Sequence, residues 1–450
     1  MKKFLLKQSL VLLSVLFASV TMISCSNDSE LGSVDTRATQ SITVSGVITG
    51  TNNWSGTVYL DGKVFLVDGT LNIAAGTTII GKAKSTPQEA SALIITRTGT
   101  INADGTNGTI IFKGETDTKG SWGGLVVLGT AAINQTTTKE IEGITNAQAA
   151  GNDISYGTSV QGKTQTEINA INNVSSGTLK YVRVENAGAS IADANELNAF
   201  TFGGVGALTT VDHCQAYHGA DDAFEFFGGA VNCTYLVATA CDDDAFDFDF
   251  GYIGKIQFAV ATIDPSLTYS SDPNGIECDN DGSSSALTPF THPVLSNLTI
   301  VGTSTGATSA GVALKSAADF RRNCRFTLVN SVLYGFPRGI LKETANTTYT
   351  LENNVVCAVP STGINFSADK TATTTFTPSS TNSGLTSYSD IGLTSPWGGY
   401  KNATALRPNA SPANSGADFT SLDSWFTTTT YKGAIALTGT ANWLTQTWIK

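Results

Sequence analysis

Charge is scarce in this chain. Charged residues make up 14% of its 450 amino acids, so the polar surface must come from Thr, Ser, Asn and Gly. Basic residues are the scarcer sign, with 26 Lys and Arg against 37 Asp and Glu and a net charge of −11. Nucleic acid is therefore not an expected partner, because phosphate binding needs a dense basic patch. There are three histidines, His213, His218 and His292, all read as structural, and no Ser-His-Asp or Cys-His motif is recognisable. No Cys-x-x-Cys spacing occurs, which argues against zinc. Long apolar runs are also missing. The run Leu10–Ile23 has 14 residues, short of the ~20 needed to span a bilayer as a helix. With 41% hydrophobic residues, the chain is still too apolar to be wholly disordered.

The first segment reads as a processed leader. Met1–Lys7 is basic, Leu10–Ile23 is apolar, and Ser24 precedes Cys25. This resembles a bacterial lipobox, with Met22 in place of the usual Leu, and implies a signal peptide over 1–24. Cys25 is then the expected lipidation site, carrying acyl chains such as palmitate that hold the chain on a membrane at about 0.8 kcal/mol per buried methylene. Residues 25–40 are expected to be a flexible acidic tether. Within it, Ser26-Asn27-Asp28-Ser29-Glu30 looks like the export tag of Bacteroidota lipoproteins bound for the outer face of the outer membrane. Loss of Lys2, Lys3 and Lys7 with the leader takes the net charge from −11 to −14. The six other cysteines, Cys214, Cys233, Cys241, Cys278, Cys324 and Cys357, permit up to three disulfides outside the cytoplasm, or else serve as small buried hydrophobes.

From Ser41 onward, short runs of β-formers alternate with Gly, Asn, Asp and Thr turns, and no convincing 3.6-residue periodicity is present. The expected class is all-β. An internal repeat sharpens this. Asp221-Asp222-Ala223-Phe224-Glu225-Phe226 realigns on Asp243-Asp244-Ala245-Phe246-Asp247-Phe248 at a shift of 22 residues. The same shift carries Tyr235–Ala238 onto Gln257–Val260. Such a period, with short strands and polar corners, predicts a parallel β-helix: a solenoid in which one coil cannot bury its apolar face alone and must stack. Phe224 should lie over Phe246 and Phe226 over Phe248, each pair contributing about 0.5–1.5 kcal/mol beyond burial. Further rungs are read at 297–301, 326–329 and 349–352. A single domain over 41–450 is expected, with loop insertions near 144–176 and 264–296. A capping segment from about 361 should contain Trp425, Trp443 and Trp448, because a last coil without a cap is a bare sheet edge.

Trp122–Gly129, Leu179–Glu185, Asp221–Gly228, Asp243–Gly251, Asp272–Glu277 and Tyr431–Ala434 together resemble a family of outer-surface lipoproteins of Bacteroidota, over about 70–450. The resemblance implies a right-handed parallel β-helix and a cell-surface location. It implies no activity.

The chemistry concentrates on acids. Alternation in Phe246-Asp247-Phe248-Asp249 puts the phenylalanines on one face and the aspartates on the other, and stacking sets Glu225 beside Asp247 at ~4.8 Å. Asp221, Asp222, Glu225, Asp243, Asp244, Asp247 and Asp249 should therefore crowd together, with no Lys or Arg between Arg183 and Lys255. Crowded carboxylates need raised pKa values or a counter-ion, and an oxygen-rich set suits Ca²⁺. The plainer alternative is that these aspartates cap turns. Glu277-Cys278-Asp279-Asn280-Asp281-Gly282 is a weaker candidate that matches only part of a calcium loop, through Glu277, Asp279 and Asp281.

The expected function is binding of an extracellular carbohydrate or other host or dietary molecule, with Ca²⁺ organising the acidic ladder. A polysaccharide hydrolase or lyase is the enzymatic alternative, and a structural surface-layer role is a third. His218-Gly219-Ala220-Asp221-Asp222 looks like the polygalacturonase type of hydrolase, in which two carboxyls act as acid and base. The Arg-x-Lys clamp of those enzymes is missing, and Arg321-Arg322 is followed by Asn323. Trp54, Trp122, Tyr217, Tyr252, Tyr269 and Trp397 are candidates for a stacking platform on sugars or sterols.

Overall fold

A computed structural model describes residues 41–450 apart from 193, 194, 271, 344–347, 372, 403 and 439–441. The leader, Cys25 and the tether lie outside the described residues. Among the described residues, no helix is long and apolar enough to cross a membrane.

Parallel strands pair one coil onward in three columns. In the first, Val184, Ala216, Ala238, Ala261, Ile300, Leu333 and Val356 are successive partners. In the second, Phe200, Phe224, Phe246 and Ile276 are partners. In the third, Leu179, Val211, Cys233, Ile256, Leu295, Leu328 and Leu351 are partners. All of these side chains are buried in one continuous core. The coil stack is thus all-β and parallel, the architecture of a β-helix. Phe224 stacks on Phe246 at 5.6 Å and Phe226 on Phe248 at 5.2 Å. The ladder extends one coil further, to Phe200 and Phe202.

One register differs from the repeat. Leu236 pairs with Ala259 and Val237 with Val260, so this strand advances by one residue more than the acidic one. The corner Phe250–Gly254 holds one residue more than its counterpart Gly228–Val231. Tyr235 therefore stacks on Phe258, at 5.1 Å, rather than on Gln257.

The bend between the third and first columns repeats a left-handed residue. Tyr181, His213, Tyr235, Phe258, Asn297, Asn330 and Asn353 have φ of 51°, 53°, 55°, 61°, 57°, 55° and 57°. Asn tolerates this region through local hydrogen bonding, whereas aromatics there are strained. Stacking offsets the strain: Tyr181 lies 4.4 Å from His213, and His213 lies 4.3 Å from Tyr235.

The closing segment does not behave as a lid on the last coil. Trp443 packs edge-on against Tyr235 and Trp448 against Tyr181, midway along the stack. Asp418 exchanges hydrogen bonds with the Asn330 side chain at 2.8 and 2.9 Å, and the Lys450 amide donates to Gln215 Oε1 at 2.8 Å. The segment is a lateral strap over the outward face of the first column, where it buries Val237, Val260 and Val332.

The segments read as loops do more than insert. Residues 144–176 contain a helix, Gln165–Asn172, capped at Thr164 by a reciprocal bond with Glu167. Residues 264–296 contain the rung Ile276–Cys278. The cysteines are thiols buried within the stack at Cys214, Cys233, Cys241, Cys278 and Cys357, and Cys324 is likewise buried. Small buried hydrophobe is the role that fits them in this structure.

Candidate functional site

The outward positions of the second column read, coil by coil, Phe65, Ile94, Val126, Thr201, Glu225, Asp247, Glu277, Asp319 and Leu341. The apolar part is covered by Ile141, Ile144, Ile154, Tyr156 and Ile191. Where that cover ends, the acids begin. They face a cavity of about 480 Å³. Asp221, Asp222, Glu225, Asp243, Asp244, Asp247, Asp249 and Glu277 all line it, together with Glu140, Glu142 and Glu196. Lys139 is the one cation among these described lining residues.

Three overlapping sets place carboxylate oxygens within 4.8 Å of one another: Asp221 with Asp222 and Asp243, Asp222 with Glu225 and Asp247, and Asp244 with Asp247 and Glu277. Burial, then the mutual repulsion of neighbours, pushes Asp221, Asp222, Glu225 and Asp244 well above the usual carboxylate range. Burial also raises Asp249, with Asp247 adding to it. Asp243 rises through burial against a hydrogen bond from Ser270. Asp247 is pushed up to about 6 by burial, partly opposed by Arg321. Its Oδ1 is shut off from solvent and has no hydrogen-bond donor among the described residues.

Turn chemistry accounts for part of the cluster. Asp222 Oδ1 accepts the amide of Asp244 at 2.8 Å, and Asp244 Oδ1 accepts the amide of Asn274 at 2.9 Å. Asn274 Oδ1 in turn accepts the amide of Ser316 at 2.9 Å. One oxygen of each aspartate thus ties a corner to the next coil. Asp243 accepts from Ser270 Oγ at 2.7 Å, and Glu225 accepts from Asn198.

The weaker candidates divide. Glu277 joins the ladder. Asp279 is instead ion-paired with Arg321 at 2.9 Å and Arg322 at 2.7 Å, and Arg321 also bonds Glu277. Asp281 closes a turn with Ser283 and Ser285 and is held low by those bonds despite burial. Asp279 and Asp281 thus sit apart from the ladder, each engaged by partners of its own.

Cations absent from the local sequence arrive from a later coil, so the cluster is not as free of Arg as its sequence neighbourhood suggests. Asp319 was missed for the same reason, since Ala317-Ala318-Asp319-Phe320 does not match the repeat. It is 1% exposed, burial raises it to about 6, and neither carboxylate oxygen has a hydrogen-bond donor among the described residues. Lys370 lies 3.7 Å away.

The other candidates fall elsewhere. His218 lines a different cavity from Asp221 and Asp222, so the hydrolase-like grouping is separated by the corner. His213 stacks in the aromatic corner, and His292 Nε2 meets Thr327 Oγ1 at 3.1 Å. Trp54, Trp122, Tyr252 and Tyr269 are buried and form no open platform, whereas Trp397 is 40% exposed.

The fold and its face define an acid-lined parallel β-helix. A family model described as a pectate-lyase-like β-helix domain matches residues 46–404, and the chain belongs to that family. No curated protein and no solved structure matches it.

Proposed function

We propose that this chain is a cell-surface lipoprotein, held by an acylated Cys25 on the outer face of the outer membrane, that binds an extracellular carbohydrate through its acidic face. Its coils wind in the right-handed sense usual for parallel crossovers. Ca²⁺ organises the ladder. The observation that supports this reading is Asp247, which has an orphaned oxygen and belongs to two of the three carboxylate sets. A hard cation with six to eight oxygen ligands suits such a set, and the carboxylates of Glu225, Asp244, Asp247 and Glu277 would hold it. When bound, the ion supplies positive charge that an acidic glycan can share. The protein's own part is to exclude water and hold the carboxylates in place across three coils.

A polysaccharide lyase or hydrolase is the second reading. Membership of the pectate-lyase-like family favours it, as do the basic Arg321 and Arg322 beside the acids. Calorimetric titration of Ca²⁺ into chelator-treated protein should give heat and a raised melting temperature. Absence of both signals would remove the cation from the proposal. Acidic and neutral polysaccharides, tested for binding, reducing ends and ultraviolet-absorbing unsaturated products, separate a binder from a hydrolase and a lyase. Neither binding nor cleavage would leave an architectural role.

A further inference from the structure

A second cavity, of about 880 Å³, has no residue of the acidic ladder in its lining. Thr239 and Thr262, the last residues of neighbouring first-column strands, form part of it. Tyr217 and His218, the turns that follow the two threonines, and parts of 301–309 and 396–406 make up the rest. Its volume falls within the ~300–1,000 Å³ of small-molecule sites.

The chemistry of the lining is the reverse of the acidic face. Among the described lining residues there is no Lys or Arg, and Asp264 is the one acid. One oxygen of Asp264, Oδ1, is turned into its own loop, accepting from Ser266 N at 2.9 Å and Ser266 Oγ at 2.6 Å. What remains is hydroxyl-rich and aromatic.

Two groups are left open. Thr262 Oγ1 is buried and has no hydrogen-bond partner among the described residues. Leaving such a hydroxyl unpaired costs about 1–3 kcal/mol. Trp397 is an exposed large hydrophobic side chain that also packs against two tyrosine rings. Tyr334 meets it edge-on at 5.2 Å and 67°, and Tyr388 at 4.8 Å and 87°. The Tyr334 hydroxyl donates to the Pro396 carbonyl at 2.7 Å, fixing the adjacent backbone. A part-exposed indole braced in this way is suited to the apolar face of a sugar ring.

His218 adds a donor. Asn186 Nδ2 is oriented by the Asp117 carbonyl at 3.0 Å and lies 3.0 Å from His218 Nδ1. Nδ1 therefore accepts, and the ring proton sits on Nε2. Burial, with Lys119 nearby, keeps the ring neutral.

We propose that this cavity binds a neutral oligosaccharide, with Trp397 stacking on a sugar face and Thr262 and His218 making hydrogen bonds to its hydroxyls. The site is independent of the cation and of the acidic face.

The test uses the full chain in chelator, titrated with neutral gluco-, manno-, xylo- and galacto-hexaoses and with an oligogalacturonate. Calorimetry and tryptophan fluorescence are the readouts. At least one neutral hexaose should bind without Ca²⁺. Trp397→Ala should weaken it by about tenfold or more. Thr262→Val should weaken it several-fold while leaving the melting temperature unchanged or higher, because the valine removes a hydroxyl that is unpaired without ligand. This second variant keeps the test open even if Trp397→Ala loosens its surroundings. The proposal is overturned if no neutral hexaose binds, if binding ignores both variants, or if binding needs Ca²⁺ and is lost in Asp247→Asn. That last result would assign the saccharide to the acidic face. Failure of Ca²⁺ to bind would leave this site standing.

Discussion

Asp247 sits between Glu225 and Glu277 on neighbouring strands, with one oxygen cut off from water and from any donor among the described residues. Replacing it by Asn removes a charge that burial and like neighbours oppose. In chelator, Asp247→Asn should raise unfolding stability at neutral pH by on the order of 2 kcal/mol, and it should abolish the Ca²⁺ response. Denaturant unfolding with and without Ca²⁺ reads both effects. An unchanged Ca²⁺ response would place the ion elsewhere. Arg321 is the opposite case. It is 7% exposed and bonded to Glu277 and Asp279. Arg321→Gln leaves the buried Glu277 without its counter-charge and Asp279 with Arg322 alone, and should cost about 3–5 kcal/mol. Arg322→Gln should cost less, because that side chain is 41% exposed and solvent screens its pairing.

At the level of the element, corner and strand make separable demands on the same aspartates. The chain of side-chain acceptors from Asp222 through Asp244 to Asn274 belongs to the corner. Asp244→Asn keeps an acceptor for the Asn274 amide and removes a charge that burial opposes, so in chelator it should hold or raise the melting temperature. Relative to that variant, Asp244→Ala removes the acceptor and should cost about 1–3 kcal/mol in chelator. Equal stability of the two variants would deny the corner any share in holding coils together. The corner at Tyr181, His213, Tyr235 and Phe258 couples differently. Its rings stack on one another on one side and meet Trp443 and Trp448 on the other. This row of side chains therefore adds to the hydrogen bonds at Asn330 and Gln215 in coupling the strap to the coils.

For the whole molecule, the crowded acids set a pH dependence. The cluster carboxylates have folded pKa values above their unfolded ones, so the native state binds more protons than the unfolded chain. Their stabilising contribution is complete below about pH 4 and is lost as pH rises through the folded values, near 6 for Asp247 and Asp319 and in the same direction for their neighbours. Metal-free protein should therefore melt at lower temperature at pH 7 than at pH 5, and saturating Ca²⁺ should flatten that slope. A melting temperature that rises from pH 5 to 7 in chelator would contradict the charge crowding. Removal of residues 418–450 should expose the outward faces of Val237, Val260 and Val332. The expected sign is binding of a hydrophobic dye and a lower melting temperature, with the parallel-sheet circular dichroism retained.

Legibility follows range. The phenylalanine ladder and the acidic strand positions were readable because both depend on alternation within one strand and on a period that repeats within two coils. Tyr235 was placed over the wrong partner because a single extra residue in the corner 250–254 shifts the next strand, and corner length leaves no trace in hydrophobic pattern. Arg321, Arg322 and Asp319 were not placed at the ladder because the coils around 276 and 319 have different lengths from those before them. The cavity around Trp397 joins 217, 262 and 397, which no local pattern connects.

The amino-acid sequence by itself determined that the strands are short, which side chains turn inward, and that acids occupy the outward positions of adjacent coils. These follow from backbone alternation and a covalent period. Only the tertiary structure decided which cations reach those acids, where the closing tryptophans lie, and that an aromatic, hydroxyl-lined cavity opens apart from the acidic face. Each of those depends on contacts between segments whose separation along the chain is set by corners and loops of variable length. Packing chooses such contacts, and periodicity does not.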